Sequence, residues 1–159
     1  MGYGIGIHPD TIRRFLHQFH RGFVTQNPLL KLSIVAHLPH QRDRARSMYR
    51  IIREHVEMQL QQTRTLYGHQ LDETLTTLEV LEADFSTGIR KLQALSVLYH
   101  RLIRDDAIHP DEMVQVIHRS AVTFNRYVQA GLQILADDLI HLEVMSAATV
   151  EEPPLIYPN

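Results

Sequence analysis

Apolar positions in this chain recur at steps of three and four residues almost from end to end, and no alternating stretch is long enough to make a strand. That period belongs to amphipathic helices. Asp10 is expected to cap a first helix that carries Ile12, Phe15, Leu16 and Phe19 on one face, with Gly22 as its stop. Asn27-Pro28 is a second start signal. It opens a short apolar segment (Leu29, Leu30, Leu32, Ile34, Val35, Leu38) that ends near Pro39 and belongs in the core.

A long helix follows from about His40 to Tyr67, with Ala45, Met48, Ile51, Ile52, Val56, Gln59 and Leu66 on one side and Gly68 as punctuation. The strongest periodicity runs from Gln70 to about Arg104 through Leu71, Leu75, Leu78, Leu81, Phe85, Ile89, Leu92, Leu95, Leu98 and Leu102. Ser86-Thr87-Gly88 offers a point at which it splits. After Asp105-Asp106, Pro110 with Asp111 and Glu112 opens a last helix to about Ala147, where carboxylates in the first turn suit the helix dipole. Its inward residues are Met113, Ile117, Ala121, Phe124, Val128, Leu135, Leu139 and Leu142, and Gly131 is expected to bend it. The fold predicted is all-α, an antiparallel bundle of four to five helices. Residues 1–9 read as a flexible lead, 10–148 as one helical domain, and 149–159 as an extended Pro-rich tail.

Composition narrows the chemistry. Cysteine is absent from the 159 residues, which excludes disulfides, zinc fingers and thiol catalysis. No apolar run approaches the ~20 residues that span a bilayer, and no basic-then-apolar leader opens the chain, so the expected location is cytoplasmic.

Charge changes the picture more. Net charge is −2, but residues 1–64 carry ten Lys or Arg against four Asp or Glu, and residues 65–159 carry six against fourteen. The halves either neutralise each other within one fold, or they imply an anionic partner on one face or head-to-tail self-association. All the basic residues except Lys31 and Lys91 are arginine. Five fall in one run: Arg42, Arg44, Arg46, Arg50 and Arg53. On a helix, Arg42, Arg46, Arg50 and Arg53 lie within about 80° of each other, one per turn, and roughly 140° from the apolar side. Guanidinium grips phosphate and carboxylate with a planar fork. This cationic rail is the candidate nucleic-acid-binding site. Arg13, Arg14, Arg21 and Arg64 extend it, and Tyr49, with Tyr67 further along, is placed to stack on bases. The competing reading is a solvated face, or a partner for the acidic residues Asp72, Glu73, Glu79 and Glu82.

Other constellations are weaker. The eleven histidines offer His17/His20, Asp106/His109 and Asp138/His141, but no Glu-x-x-His pair of the kind that builds metal sites in bundles, so no metal and no cofactor are expected. His55 and His118 read as core or boundary residues. Gly2-x-Gly4-x-Gly6 is not a nucleotide fingerprint, because no strand precedes it. Arg104 and His109 have the Arg-x4-His spacing and in this resemble HEPN-type ribonucleases, which would make His109 the general base and Arg104 the phosphate holder. Arg50 and His55 share the spacing.

In size, helical class, arginine-lined face and charge asymmetry the chain resembles the helical small subunit of multi-subunit CRISPR interference complexes. That resemblance implies a non-catalytic subunit that contacts single-stranded RNA or DNA through basic side chains, lies beside larger subunits and further copies of itself, and does not enter a membrane. The glycine-rich start fits a product beginning within a longer reading frame. The alternatives are a protein-interaction bundle without nucleic-acid affinity and the HEPN-like ribonuclease.

Overall fold

The computed structural model describes residues 6–151, and these are all helix and loop. The glycine-rich lead up to Ile5 and the tail from Glu152 fall outside the described residues.

Helix α1 (Pro9–His20) starts one residue earlier than Asp10 would have it. His8 is the cap: its Nδ1 accepts from the Asp10 backbone N–H at 3.1 Å, and Pro9 fills the first position. Ile7, in the expected lead, is already buried. Asn27 does act as a cap, with its side chain accepting from Leu29 N–H at 2.9 Å. The apolar segment after it forms a 3-10 turn (Pro28–Lys31) and a single-turn helix, α2 (Ser33–Ala36). Glu143, buried at the far end of the chain, closes the start of α2 by accepting from the Ser33 N–H at 2.8 Å, the Ile34 N–H at 3.3 Å and the Ser33 hydroxyl. Arg44 closes its other end, donating to Leu38 O at 2.6 Å and Ala36 O at 2.9 Å.

Helix α3 (Gln41–Leu66) matches its expected span to within a residue at each end. Its buried stripe is Ala45, Met48, Tyr49, Ile52, Val56, Leu60 and Thr63. At about 100° per residue this stripe is centred only about 85° from the arginine rail, not 140° away, because Tyr49 and Leu60 turn inward where Leu66 does not.

The single long periodicity after Gly68 is divided into α4 (Thr77–Ser86), α5 (Arg90–Leu98) and a π turn (Tyr99–Ile103). Residues 70–76 are not helical: Asp72 accepts from Thr74 N–H and hydroxyl, both at 2.9 Å, and Thr76 then starts α4 through a reciprocal capping box with Glu79. The split at Ser86-Thr87-Gly88 is present. Residues Leu92 to Leu98 are all buried, which makes α5 the central helix.

The expected last helix is also two. Helix α6 (Pro110–Ile117) ends at His118, which takes the left-handed conformation (φ 54°), and α7 (Ala121–Glu151) restarts after Ser120, whose hydroxyl accepts from Thr123 N–H. Gly131 does not break α7. It lets α7 lie against α5 so closely that a Cβ there would meet Ala94 O at 2.7 Å and Leu98 Cβ at 2.8 Å. The described residues therefore form seven α-helices instead of four or five, with Phe124, Val128, Leu132, Leu135, Ala136 and Leu139 of α7 closing the core over α5. No helix among them is long and apolar enough to cross a membrane.

Candidate nucleic-acid interface

The rail divides into exposed and engaged members. Arg42, Arg46 and Arg50 are exposed on α3, and their side chains make no hydrogen bond or ion pair among the described residues. They climb the helix in steps of four, about 6 Å each. Arg53 is the fourth in line but is held by Glu57 (2.9 Å) and approached by Asp105 (3.6 Å). The Glu57 hydrogen bond stabilises the charged guanidinium and pushes the Arg53 pKa up. Burial opposes ionisation of Glu57, but hydrogen bonds from Arg53 and Tyr99 outweigh it and hold its carboxyl below the usual range. Arg44, the odd member of the run, faces away from the rail and holds the turn before α3.

Two expected members are not available. Arg64 lies at the same azimuth of α3 as the rail, but α4 covers it there: its guanidinium grips the fully buried carboxylate of Asp84 at two points, Nε to Oδ1 being 2.9 Å. Ser96 donates to the same carboxylate at 2.8 Å, and His69 Nε2 approaches it to 3.4 Å. Tyr49 cannot stack on a base. Its ring is buried and stacked on Phe19 (centroids 4.1 Å, planes 13° apart), and its hydroxyl reaches Ile103 O and Asp105 Oδ1. Burial and the Asp105 hydrogen bond push its pKa up to about 12.

On α1, Arg14 is exposed and makes no side-chain bond among the described residues, while Arg13 donates to Gln129 at 3.3 Å. Tyr67 is exposed just past α3. The sequence reading missed Phe23. Its ring is 66 % exposed beside the rail, in an apolar groove of about 590 Å³ whose rim is Arg42 and Arg46 and whose floor includes Phe19 and Ala45. The available signal was an aromatic following the helix stop at Gly22.

The acidic half neutralises part of the basic half, through Arg53 with Asp105 and Arg64 with Asp84, and His55 Nε2 lies in hydrogen-bond contact with Asp138 at 2.7 Å. It does not reach Arg42, Arg46 or Arg50. The rail's own helix carries three exposed carboxylates, of which Glu57 pairs with Arg53 while Asp43 and Glu54 pair with no arginine.

The ribonuclease pair is used locally. His109 is exposed and caps α6, with Nδ1 accepting from Asp111 N–H at 3.2 Å. Arg104 is bound to Asp106 at two points and to the Thr77 hydroxyl at 3.0 Å, and shares no hydrogen bond with His109. The described residues contain no group of three or more His, Asp or Glu arranged to hold a metal.

One buried group stood outside every motif. His100, on the π turn, is 3 % exposed and neither ring nitrogen has a partner. Burial, aided by Arg104, lowers its pKa to about 4, so the ring is neutral at pH 7. Each orphaned nitrogen costs about 1–3 kcal/mol.

No family model, no curated protein and no solved structure matches the chain.

Proposed function

We propose that this chain binds single-stranded nucleic acid through the α3 rail, as a non-catalytic subunit of a nucleoprotein assembly. One observation carries the reading: Arg42, Arg46 and Arg50 stand in line, exposed and unpaired, in a protein whose other face-on arginines on α3 are all engaged. Phosphates of one strand can seat along them, and the Phe23 groove beside Arg42 and Arg46 offers an aromatic surface for a base. Exposed Met58 and Leu66 on α3, Tyr67 just past its end and Val144 on α7 are the surfaces for neighbouring subunits. The resemblance to CRISPR small subunits enters only as the kind of assembly that such a chain would join.

Fluorescence anisotropy with a labelled 30-nucleotide strand tests the proposal. Three phosphate contacts give a slope of log affinity against log salt of about −2. Arg46→Glu with Arg50→Glu should flatten that slope and weaken binding while leaving helicity unchanged. Unchanged binding in the double variant, or none in the wild type at low salt, sinks the proposal in favour of a protein partner.

A further inference from the structure

Arg13, expected on the rail, lines a different cavity, one of about 160 Å³ between α1, the π turn, α6 and the start of α7. Arg13 and His17 reach it from α1, Arg101 from the π turn and Asn125 from α7. Val114 and Phe124 are apolar walls.

Arg101 is the unusual member. The other partly buried arginines each have an acceptor: Gln129 for Arg13, backbone carbonyls for Arg44, and carboxylates for Arg53, Arg64 and Arg104. Arg101 is partly buried too, yet makes no hydrogen bond or ion pair among the described residues. Its nitrogens stay open to a ligand, since the sealed side-chain atoms without partners belong to Gln18, His69 and His100. Burial and the nearby Arg13 both work against its charge, which a guanidinium does not shed. Desolvation, then Arg101 and Arg13, hold His17 below its ordinary pKa, with Arg21 and His20 adding to the effect. One carboxylate lines the cavity, that of Asp111 on α6, and it approaches His109 at 3.6 Å and pairs with no arginine.

Two guanidiniums, an imidazole and an amide therefore converge on a small space with almost no negative charge to match them. A compact anion with several acceptor oxygens satisfies such a set, because the forked donors of arginine fit phosphate geometry. The cavity is far smaller than the roughly 300–1,000 Å³ of pockets that enclose whole small molecules, so it suits one phosphoryl group and not a nucleotide. A phosphomonoester carries a charge of about −1.5 to −2 and three free oxygens, and two clustered arginines favour it over the single charge of a strand's internal diester.

We infer that this cavity binds a phosphomonoester-like dianion, supplied either by the phosphorylated end of a strand or by free phosphate. The inference stands apart from the rail reading, because the cavity shares no residue with Arg42, Arg46 and Arg50.

The test titrates inorganic phosphate into the full chain by calorimetry at low ionic strength. One saturable site in the millimolar range or tighter is expected. Arg101→Gln should weaken it about tenfold or more, and Arg13→Gln, a change on the more open side of the cavity, does the same if the first variant fails to fold. Arg46→Glu with Arg50→Glu should leave it unchanged. Proton NMR places the anion: bound phosphate should raise the His17 pKa, because it offsets the two guanidiniums that lower it, and the rise should shrink in Arg101→Gln. Strands with phosphorylated and hydroxyl ends, compared by anisotropy, identify the source. An affinity gain from the end phosphate that vanishes in Arg101→Gln assigns the strand end, and phosphate binding without such a gain assigns free phosphate. The inference is overturned if phosphate does not bind and an end phosphate adds nothing, if both variants bind as the wild type does, or if saturating phosphate leaves His17 unmoved. A chain that binds phosphate but no strand overturns the rail alone.

Discussion

Arg64 and Asp84 meet edge to edge across the α3–α4 interface, with the carboxylate sealed from solvent and a third bond arriving from Ser96. Removing one partner of such a pair strands a charge away from water, a cost of about 3–5 kcal/mol. Arg64→Leu should lower stability by that order in denaturant unfolding, since it leaves the sealed carboxylate with only the Ser96 hydrogen bond, and Asp84→Ala by less, since the partly exposed Arg64 guanidinium can turn to water. Loss of less than about 1 kcal/mol in Arg64→Leu would show the pair to be solvated.

Tyr49 belongs to the core and not to the interface. Tyr49→Phe keeps the stack on Phe19 and removes the hydroxyl that reaches Ile103 O and Asp105. Stability should fall by about 1 kcal/mol. Strand affinity should stay at the wild-type value in the same anisotropy titration, and a drop comparable to the rail variants would return Tyr49 to the binding face.

His100 should make the fold acid-sensitive. Its folded pKa of about 4 lies below the ordinary 6.5 of histidine, so between those values the unfolded chain binds the extra proton. The stabilisation is complete above pH 6.5 and is lost as pH falls through 4, amounting to as much as about 3 kcal/mol. His17, lowered by burial and by Arg101 and Arg13, adds in the same direction. Denaturant unfolding at pH 7, 5.5 and 4.5 should show a decline that is shallower in His100→Phe. Parallel pH profiles for the two proteins would place the ring in water.

Gly131 is a spacing device. Gly131→Ala adds about 1 kcal/mol of helix propensity but drives a methyl into Ala94 O and Leu98 Cβ, neither of which is the free end of a flexible chain. Overpacking of this type costs about 1–3 kcal/mol. The net result should be a lower melting temperature, and an increase would mean that α5 and α7 can move apart.

What the sequence made legible was local. Asn27-Pro28, Gly22, Gly68, the span of α3, the inward residues of α5 and those of α7 except Ala121, which is exposed, follow from caps, stops and a 3.6-residue period, all of which act within a few residues. The breaks at residues 70–76 and 118–120 were hidden because their causes are single side chains, Asp72, Thr76 and Ser120, competing for backbone groups inside an unbroken apolar pattern. The rail was half legible. Periodicity put Arg64 and Arg42 on one azimuth, but only the tertiary fold shows that α4 covers the first and leaves the second open. Asp84 and His100 gave no local signal, since one reads as a polar position in an acidic helix and the other as an ordinary histidine.

Arg44 sits inside the arginine run, yet serves the backbone. With one N–H on Leu38 O and another on Ala36 O it ties α2 to the start of α3, a two-carbonyl grip that the single ammonium of lysine does not reproduce. The run is thus two alphabets overlaid, one read by the fold and one left for the strand proposed above. A library selected for folding alone should hold arginine at 44 and drift freely at 42, 46 and 50. Selection for salt-dependent strand binding should restore positive charge at those three and accept lysine there.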